Sequence, residues 1–118
     1  MSDPSLKLVV LKAPQLKPVQ EFYTRLGFQF VEEQHGNGPV HFSAPLGDGI
    51  LEIYPLPQGT VADSSTRLGL GVADLPAVIE ELGDLTEVRG PKRTPWGLRA
   101  VVKDPDGRSV ELYSEAAE

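Results

Sequence analysis

The chain has 118 residues and no cysteine, a length that fits one domain spanning residues 1–118 and a composition that excludes disulfides and thiolate chemistry. Its 17 acidic against 11 basic residues give a net charge of −6, which argues against nucleic acid as a partner because phosphate binding needs clustered basic side chains. With no signal-like N-terminus and no apolar run near the roughly 18 residues of a membrane span, we expect a cytoplasmic protein without membrane contact.

The first half of the chain predicts the order β-α-β-β-β. Aliphatic residues 6–12 form a strand that ends before Pro14, and residues 15–26 form a helix whose apolar side chains recur at steps of three and four before Gly27. Three further strands are predicted, at residues 28–33, 40–44 and 49–54.

The second half predicts the same order after a linker rich in proline and small polar residues at 56–66. A strand at 67–72 is followed by Asp74 as helix N-cap and by a helix that ends at Gly83. The remaining strands are predicted near residues 85–89, at 98–103 and at 109–114. Between the first two of these, Arg89, Lys92 and Arg93 are predicted to form a short basic loop.

An internal repeat supports this symmetry. The segment at Glu52 and the segment at Glu111 share an apolar-Glu-apolar-Tyr pattern at a separation of 59 residues, half the chain. The same offset relates apolar positions in the predicted strands and helices, and it brings Gln15 onto Asp74. The repeat therefore predicts two tandem βαβββ modules.

Two motifs accompany the repeat, and they are Phe22-Tyr23-x-x-Leu26-Gly27-Phe28 and Asp104-Pro105-Asp106-Gly107-x-x-x-Glu111. With these motifs the chain resembles the vicinal oxygen chelate superfamily, which includes glyoxalase I, extradiol dioxygenases and bleomycin-resistance proteins. The resemblance implies an α+β fold, with module 1 at about 5–55 and module 2 at about 67–115 forming an open eight-stranded half-barrel pair around a small-molecule cleft. It also implies a homodimer and, in most of the enzymes, a divalent metal in the cleft.

The metal ligands of this family can be transferred position by position. Glu52 and Glu111 match the two carboxylate positions, whereas the two remaining positions fall on Leu8 and Arg67. Leucine has no donor atom, and an arginine cannot give a lone pair to a metal. The resemblance therefore predicts a metal-free cleft; the alternative is a divalent Ni, Zn, Mn or Fe held by Glu52 and Glu111 with ligands from elsewhere.

Charge balance suggests a role for Arg67. Two carboxylates that converge in a cleft repel one another, and a guanidinium between Glu52 and Glu111 would replace the charge that a metal supplies in the enzymes. The alternative interpretation is that all three are ordinary sheet residues whose side chains reach water.

Four more residues are candidates for the cleft. By strand alternation Tyr54 and Tyr113 share a face with Glu52 and Glu111, and each can add a hydroxyl. His41 in the third strand can serve as a ligand or a general base, and Trp96 before the seventh strand can stack on a ligand. His35 is the weaker histidine candidate, because it lies in the turn before the third strand.

Two classes of function follow. The first is a binding protein that sequesters a small organic molecule, an antibiotic or a cationic metabolite, with the two glutamates favouring a cationic or amide-rich ligand. The second is a metal-dependent lyase, isomerase or dioxygenase in which His41, water or a second chain completes the ligand set. A metal-free enzyme with Glu52 or Glu111 as general base is a third possibility.

Overall fold

A computed structural model describes residues 2–114 and shows an α+β fold of two helices and eight strands. Two four-stranded sheets are present and neither closes into a barrel. The elements, in chain order, are β1 (Leu8–Ala13), α1 (Leu16–Leu26), β2 (Val31–Glu33), β3 (His41–Leu46), β4 (Gly49–Pro55), β5 (Arg67–Gly71), α2 (Leu75–Leu82), β6 (Arg89–Thr94), β7 (Gly97–Lys103) and β8 (Ser109–Ser114). Neither helix is long and apolar enough to cross a membrane.

The two sheets have the same topology, which confirms the predicted duplication. Their strand orders are β1-β4-β3-β2 and β5-β8-β7-β6, and in each the first strand runs parallel to the last. The register is preserved as well: Val10 pairs with Glu52, and Gly69, at the same offset of 59, pairs with Glu111. The sequence repeat is therefore also a repeat of hydrogen-bonded register.

Each helix covers one face of its own sheet. The buried residues of α1 are Val19, Phe22, Tyr23 and Leu26, and those of α2 are Leu75 and Leu82. They form one continuous apolar core with inward-facing residues of both sheets, among them Leu51 and Leu112. Asp74 caps α2 as predicted, since its carboxylate accepts a hydrogen bond from the backbone N–H of Ala77 at 3.1 Å.

Two predicted strands differ from the structure. The second covers only Val31–Glu33, because Phe28 and Phe30 lie in a chain of aromatic contacts with Tyr23 and Phe42 and precede the ladder. The sixth is not at 85–89 but at Arg89–Thr94, so the predicted basic loop is a strand. A register shift between Arg89 and Lys92 accommodates Pro91, which cannot donate a ladder hydrogen bond.

A buried ion pair joins the two modules. Asp104 and Arg108 flank the turn before β8, and one carboxylate oxygen of Asp104 lies 3.0 Å from the Arg108 guanidinium. The same oxygen accepts a hydrogen bond from the Tyr23 hydroxyl of α1 at 2.8 Å, and Arg108 donates to the carbonyl of Lys12 at 2.8 Å. Burial, followed by the negative charge of Asp104, raises the pKa of Tyr23 above its usual value. The two sequence motifs thus meet at one polar junction.

The modules lie side by side and do not close over one another. The radius of gyration is 15.0 Å, against about 13.5 Å for a compact domain of this length. The overall dimensions are 49 × 43 × 24 Å. Contact between the modules runs through α1 and α2 and through the junction at Arg108. The sheet faces away from the helices are therefore left open within one chain.

We predict that Arg108→Met lowers the free energy of unfolding by about 3–5 kcal/mol, because it leaves the Asp104 carboxylate buried without its cation. Urea unfolding followed by circular dichroism measures this. If Arg108→Met does not fold, Tyr23→Phe should cost about 1–3 kcal/mol through the lost hydrogen bond to a buried acceptor.

The matched control is Arg25→Met. Arg25 also pairs with a carboxylate four residues away, Glu21, and donates a hydrogen bond to the carbonyl of Glu81 at 3.2 Å. Its side chain and that of Glu21 are 35% and 57% exposed, whereas those of Arg108 and Asp104 are 2% and 0% exposed. Loss of Arg25 should cost less than about 1 kcal/mol. Equal effects of the two arginine substitutions would contradict the structural role of the junction.

Candidate functional site

The candidate site consists of the two sheet faces that no helix covers, which we call the open faces. Along β8 the side chains alternate between buried Val110 and Leu112 and less buried Glu111 and Tyr113. Along β4, Glu52 and Tyr54 alternate with buried residues in the same way. Strand alternation therefore places each predicted glutamate on an open face together with its tyrosine.

On the second sheet, Glu111 is the centre of a hydrogen-bonded cluster. Arg67 forms an ion pair with one oxygen of its carboxylate. The other oxygen accepts a hydrogen bond from the Tyr113 hydroxyl at 2.7 Å and pairs with Arg99 at 3.2 Å. The hydrogen bond from Arg67 is the largest cause, followed by Tyr113, of a Glu111 pKa lowered to about 2. Glu111 is therefore a charged, fully engaged acceptor, a poor state for a general base near neutral pH.

The surroundings of Glu111 are strongly cationic. A cavity of about 550 Å³ is lined by Glu111 and four basic side chains, with Ser109 and Val101 between them. The four are Arg67, Arg89, Lys92 and Arg99. One carboxylate cannot balance four cations, so this open face attracts anionic groups. Glu111 alone would favour a cationic ligand, whereas the four basic side chains around it favour an anionic one.

Two glycines deepen the second open face. Gly69 pairs with Glu111 in the register and Gly71 pairs with Tyr113. At the equivalent positions of the first sheet, Val10 pairs with Glu52 and Lys12 with Tyr54. The second sheet therefore has free space where the first carries side chains.

The first open face combines Glu52 with apolar side chains. Leu8, Val10 and Ile50 lie on this face beside Glu52 and are all exposed. The Tyr54 ring stacks on the ring of His41, with centroids 4.1 Å apart and planes 10° apart. Desolvation, followed by the negative charges of Glu52 and Glu33, raises the pKa of Tyr54.

Arg67 does not join the two glutamates within one chain. Arg67 forms its ion pair with Glu111, and no hydrogen bond or ion pair among residues 2–114 connects it to Glu52. The two glutamates belong to different sheets, and no hydrogen bond or ion pair among residues 2–114 links them. The bridging arrangement expected from the sequence is absent from the described part of this chain, and Arg99 and Tyr113 are the further partners of Glu111.

The residues at the implied metal positions do not fit a metal. Leu8 lies on the open face with no donor atom, and Arg67 occupies the carboxylate of Glu111 that a metal would need. Of the two glutamates at these positions, only Glu52 has a carboxylate that forms no ion pair among residues 2–114. One free carboxylate is too small a ligand set for a transition metal.

Two other features lie apart from this cluster. Trp96 is at the tip of the β6–β7 hairpin, where its side chain is 73% exposed and does not line the cationic cavity. Another cavity, of about 830 Å³, lies between the C-terminal end of α1 and β5 with α2, and none of the predicted site residues lines it. The predicted polar and aromatic site residues are therefore on the open faces and not in this cavity.

Two further residues of the open faces, Arg99 and Glu33, are not among those predicted from the sequence. Arg99 lies on β7, where alternation with buried Ala100 and Val102 puts it on the face of Glu111; the same period-2 argument applied to this strand would have found it. Glu33 contacts His41, its partner across the β2–β3 ladder. That pairing depends on the register between the two strands, which the sequence did not fix.

Comparisons with known proteins agree on the family and the fold. The sequence model of the family described as Glyoxalase/Bleomycin resistance protein/Dioxygenase superfamily matches residues 6–112. The solved structure of TnmS3, described as an antibiotic binding protein from Streptomyces sp. CB03234, has a TM-score of 0.74 and 28% identity, covering 97% of this chain and 98% of that chain.

Two further relatives have similar identity. A glyoxalase/bleomycin resistance protein from the same Streptomyces has a TM-score of 0.70 and 29% identity, covering 93% of this chain and 100% of that chain. An uncharacterized protein of Mycolicibacterium smegmatis is 29% identical over 116 residues, 97% of each chain.

We predict that Glu111→Gln destabilises the protein in a pH-dependent way. The folded-state pKa of about 2 lies below the ordinary value of 4.5, so the charged carboxylate stabilises the fold above about pH 4.5 and loses this effect as the pH falls toward 2. The difference in urea midpoint between the native protein and the variant should have its largest value at pH 7 and should be smaller at pH 3.

The control for this series is Glu81→Gln, because Glu81 is an exposed residue of α2. This substitution should change the free energy of unfolding by less than about 0.5 kcal/mol. A Glu111→Gln effect that stays constant from pH 7 to pH 3 would show that the cluster around Glu111 does not lower its pKa.

Proposed function

Because the chain belongs to the Glyoxalase/Bleomycin resistance protein/Dioxygenase superfamily, we propose that it is a binding protein for a small organic molecule and that it works without a metal at the family's metal position. The observation that carries this proposal is the engagement of Glu111 by Arg67, with Leu8 at another of the ligand positions. The charge that a metal supplies in the enzymes comes here from a side chain. No residue of the cluster is then free to act as a metal ligand or as a base.

The similarity to TnmS3 supports binding over catalysis, since that protein is described as an antibiotic binding protein and shares the fold over nearly the whole chain. We propose an antibiotic or a comparable small metabolite as the ligand of this chain. The exposed apolar residues and stacked aromatic ring of the first open face suit a flat or apolar body, because such sites bind mainly through apolar and aromatic contacts.

The cationic cavity adds a chemical class to this ligand. Arg67, Arg89, Lys92 and Arg99 surround a single engaged carboxylate, so a ligand with a carboxylate, phenolate or phosphate group gains charge-assisted hydrogen bonds there. A cationic group would be repelled. We therefore propose an acidic ligand in place of the cationic one that Glu52 and Glu111 alone suggested.

We propose that the complete cleft forms in a homodimer. Within one chain the open faces do not enclose a cleft, and the outer strands β1, β2, β5 and β6 have no further ladder partner in residues 2–114. A second copy can cover the exposed apolar residues of the first open face and provide the opposite wall. We infer a cytoplasmic location from the cysteine-free composition.

We predict that a thermal-shift screen of antibiotics of similar size will favour acidic over basic compounds. For the best acidic compound, Arg99→Gln should weaken the affinity measured by isothermal titration about tenfold or more, because it removes a hydrogen bond to a charged group. Arg93→Gln is the matched control, since Arg93 is an exposed arginine of β6 that does not line the cavity. A preference for basic compounds, or equal losses in the two variants, would contradict the proposed anion site.

We predict a sedimentation mass of twice the chain mass of 12.8 kDa at micromolar concentration. The fluorescence of Trp96, the only tryptophan, is compared at low and high protein concentration and reports whether the hairpin tip becomes covered when the dimer forms. A mass near 12.8 kDa with ligand still bound would contradict the dimer and leave the binding function in place.

A further inference from the structure

A second cluster of metal-ligating side chains lies at the edge of the first sheet, outside the family's metal position. Glu33 ends β2, His35 lies in the following turn, and His41 begins β3. One ligand atom from each side chain can be chosen such that all three lie within 4.8 Å of one another. A metal bound at about 2.0–2.2 Å in tetrahedral geometry separates its ligand atoms by about 3.4 Å. The cluster is therefore close to the required spacing.

The tautomer of His41 makes this cluster a cation site. His41 is only 1% exposed, and its Nδ1 lies 3.2 Å from the carbonyl oxygen of Pro39. A carbonyl only accepts, so Nδ1 carries a proton and donates it. In the neutral ring Nε2 then presents a lone pair, and this atom lies 3.2 Å from the carboxylate of Glu33. Two acceptors at this distance are joined either by a proton, which makes His41 an imidazolium, or by a metal ion.

The remaining geometry favours a metal as that cation. A metal-binding histidine generally donates its other ring N–H to a backbone carbonyl or carboxylate, as His41 does to Pro39. A third ligand is at hand, because Nε2 of His35 lies 3.8 Å from the same Glu33 oxygen. The His35 side chain is 75% exposed, so it can rotate inward by the remaining distance. A buried proton on Nε2 would satisfy Glu33 and His41 but would give His35 no role.

We propose that Glu33, His35 and His41 bind one divalent transition metal per chain, with Zn²⁺ as the expected ion. Two imidazoles and one carboxylate suit zinc and the neighbouring metals of the first row, and not Ca²⁺ or Mg²⁺. Three protein ligands leave the fourth position open. Since the Tyr54 ring stacks on His41, this centre lies beside the first open face, at the rim of the proposed cleft.

The proposal is independent of ligand binding and is tested with the metal alone. Full-length protein without a histidine tag is titrated with ZnCl₂ by calorimetry, and with Co²⁺ while its visible d–d bands are recorded. We expect one saturable site per chain, a tetrahedral Co²⁺ spectrum, and a rise in melting temperature that EDTA reverses.

The variants identify the site. His35→Ala and Glu33→Gln change exposed or half-exposed side chains and should weaken Zn²⁺ binding at least about tenfold without loss of folding by circular dichroism. Glu32→Gln is the matched control, because Glu32 is the adjacent exposed carboxylate on the opposite face of β2 and should leave the affinity unchanged. No saturable Zn²⁺ binding, or binding that survives His35→Ala, would overturn the proposal. Binding lost in Glu111→Gln but kept in His35→Ala would assign the metal to the family position instead, and would then also contradict the proposed function.

Discussion

The buried contact of Asp104 with Arg108 and Tyr23 is the constraint on which the arrangement of this protein depends. Each module has one helix and one four-stranded sheet, and the helix covers only one face of that sheet. The Tyr23 hydroxyl and the Lys12 carbonyl of module 1 both bond to the Asp104–Arg108 pair of module 2. Although Nε of Arg108 has no hydrogen-bond partner among residues 2–114, the other contacts of the pair join both modules. A buried pair loses stability when such partners move away, so these contacts favour one relative position of the modules. That position leaves both open faces accessible.

The two open faces have diverged from a common plan. Both keep a glutamate followed two residues later by a tyrosine, in the same register with the neighbouring parallel strand. Around Glu111 the second sheet adds four basic side chains, whereas the first adds exposed aliphatic residues around Glu52. One face is therefore cationic and the other is largely apolar. Under the proposed function, such a pair of faces suits a molecule with two chemically different ends.

The sequence was sufficient to predict three features: the internal repeat, the N-cap of α2, and the strand face on which each of the two glutamates lies. Each of these depends on local periodicity or on a fixed offset. Asp74 as N-cap and the equivalence of Glu52 with Glu111 are examples. The strand at Arg89–Thr94 could not be predicted, since Pro91 and Gly90 signal a loop and only pairing with β7 holds them in a ladder. The partners of Glu111 and His41 also escaped prediction in part. Arg99 and Glu33 approach them across neighbouring strands, and such contacts depend on tertiary register more than on sequence spacing.

Gly69 gives the second open face a property that the first lacks. A methyl group added at Gly69 would meet its nearest neighbour, a ring carbon of Tyr113, at 3.7 Å, and at Gly71 it would meet nothing within 4 Å. Neither glycine has the positive φ that would strain a larger residue. Alanine can therefore replace either one with the backbone unchanged, and each added methyl group removes a little room on the face of Glu111. The free space on this face can thus change in small steps, by substitutions that leave the core and the junction of the two modules intact.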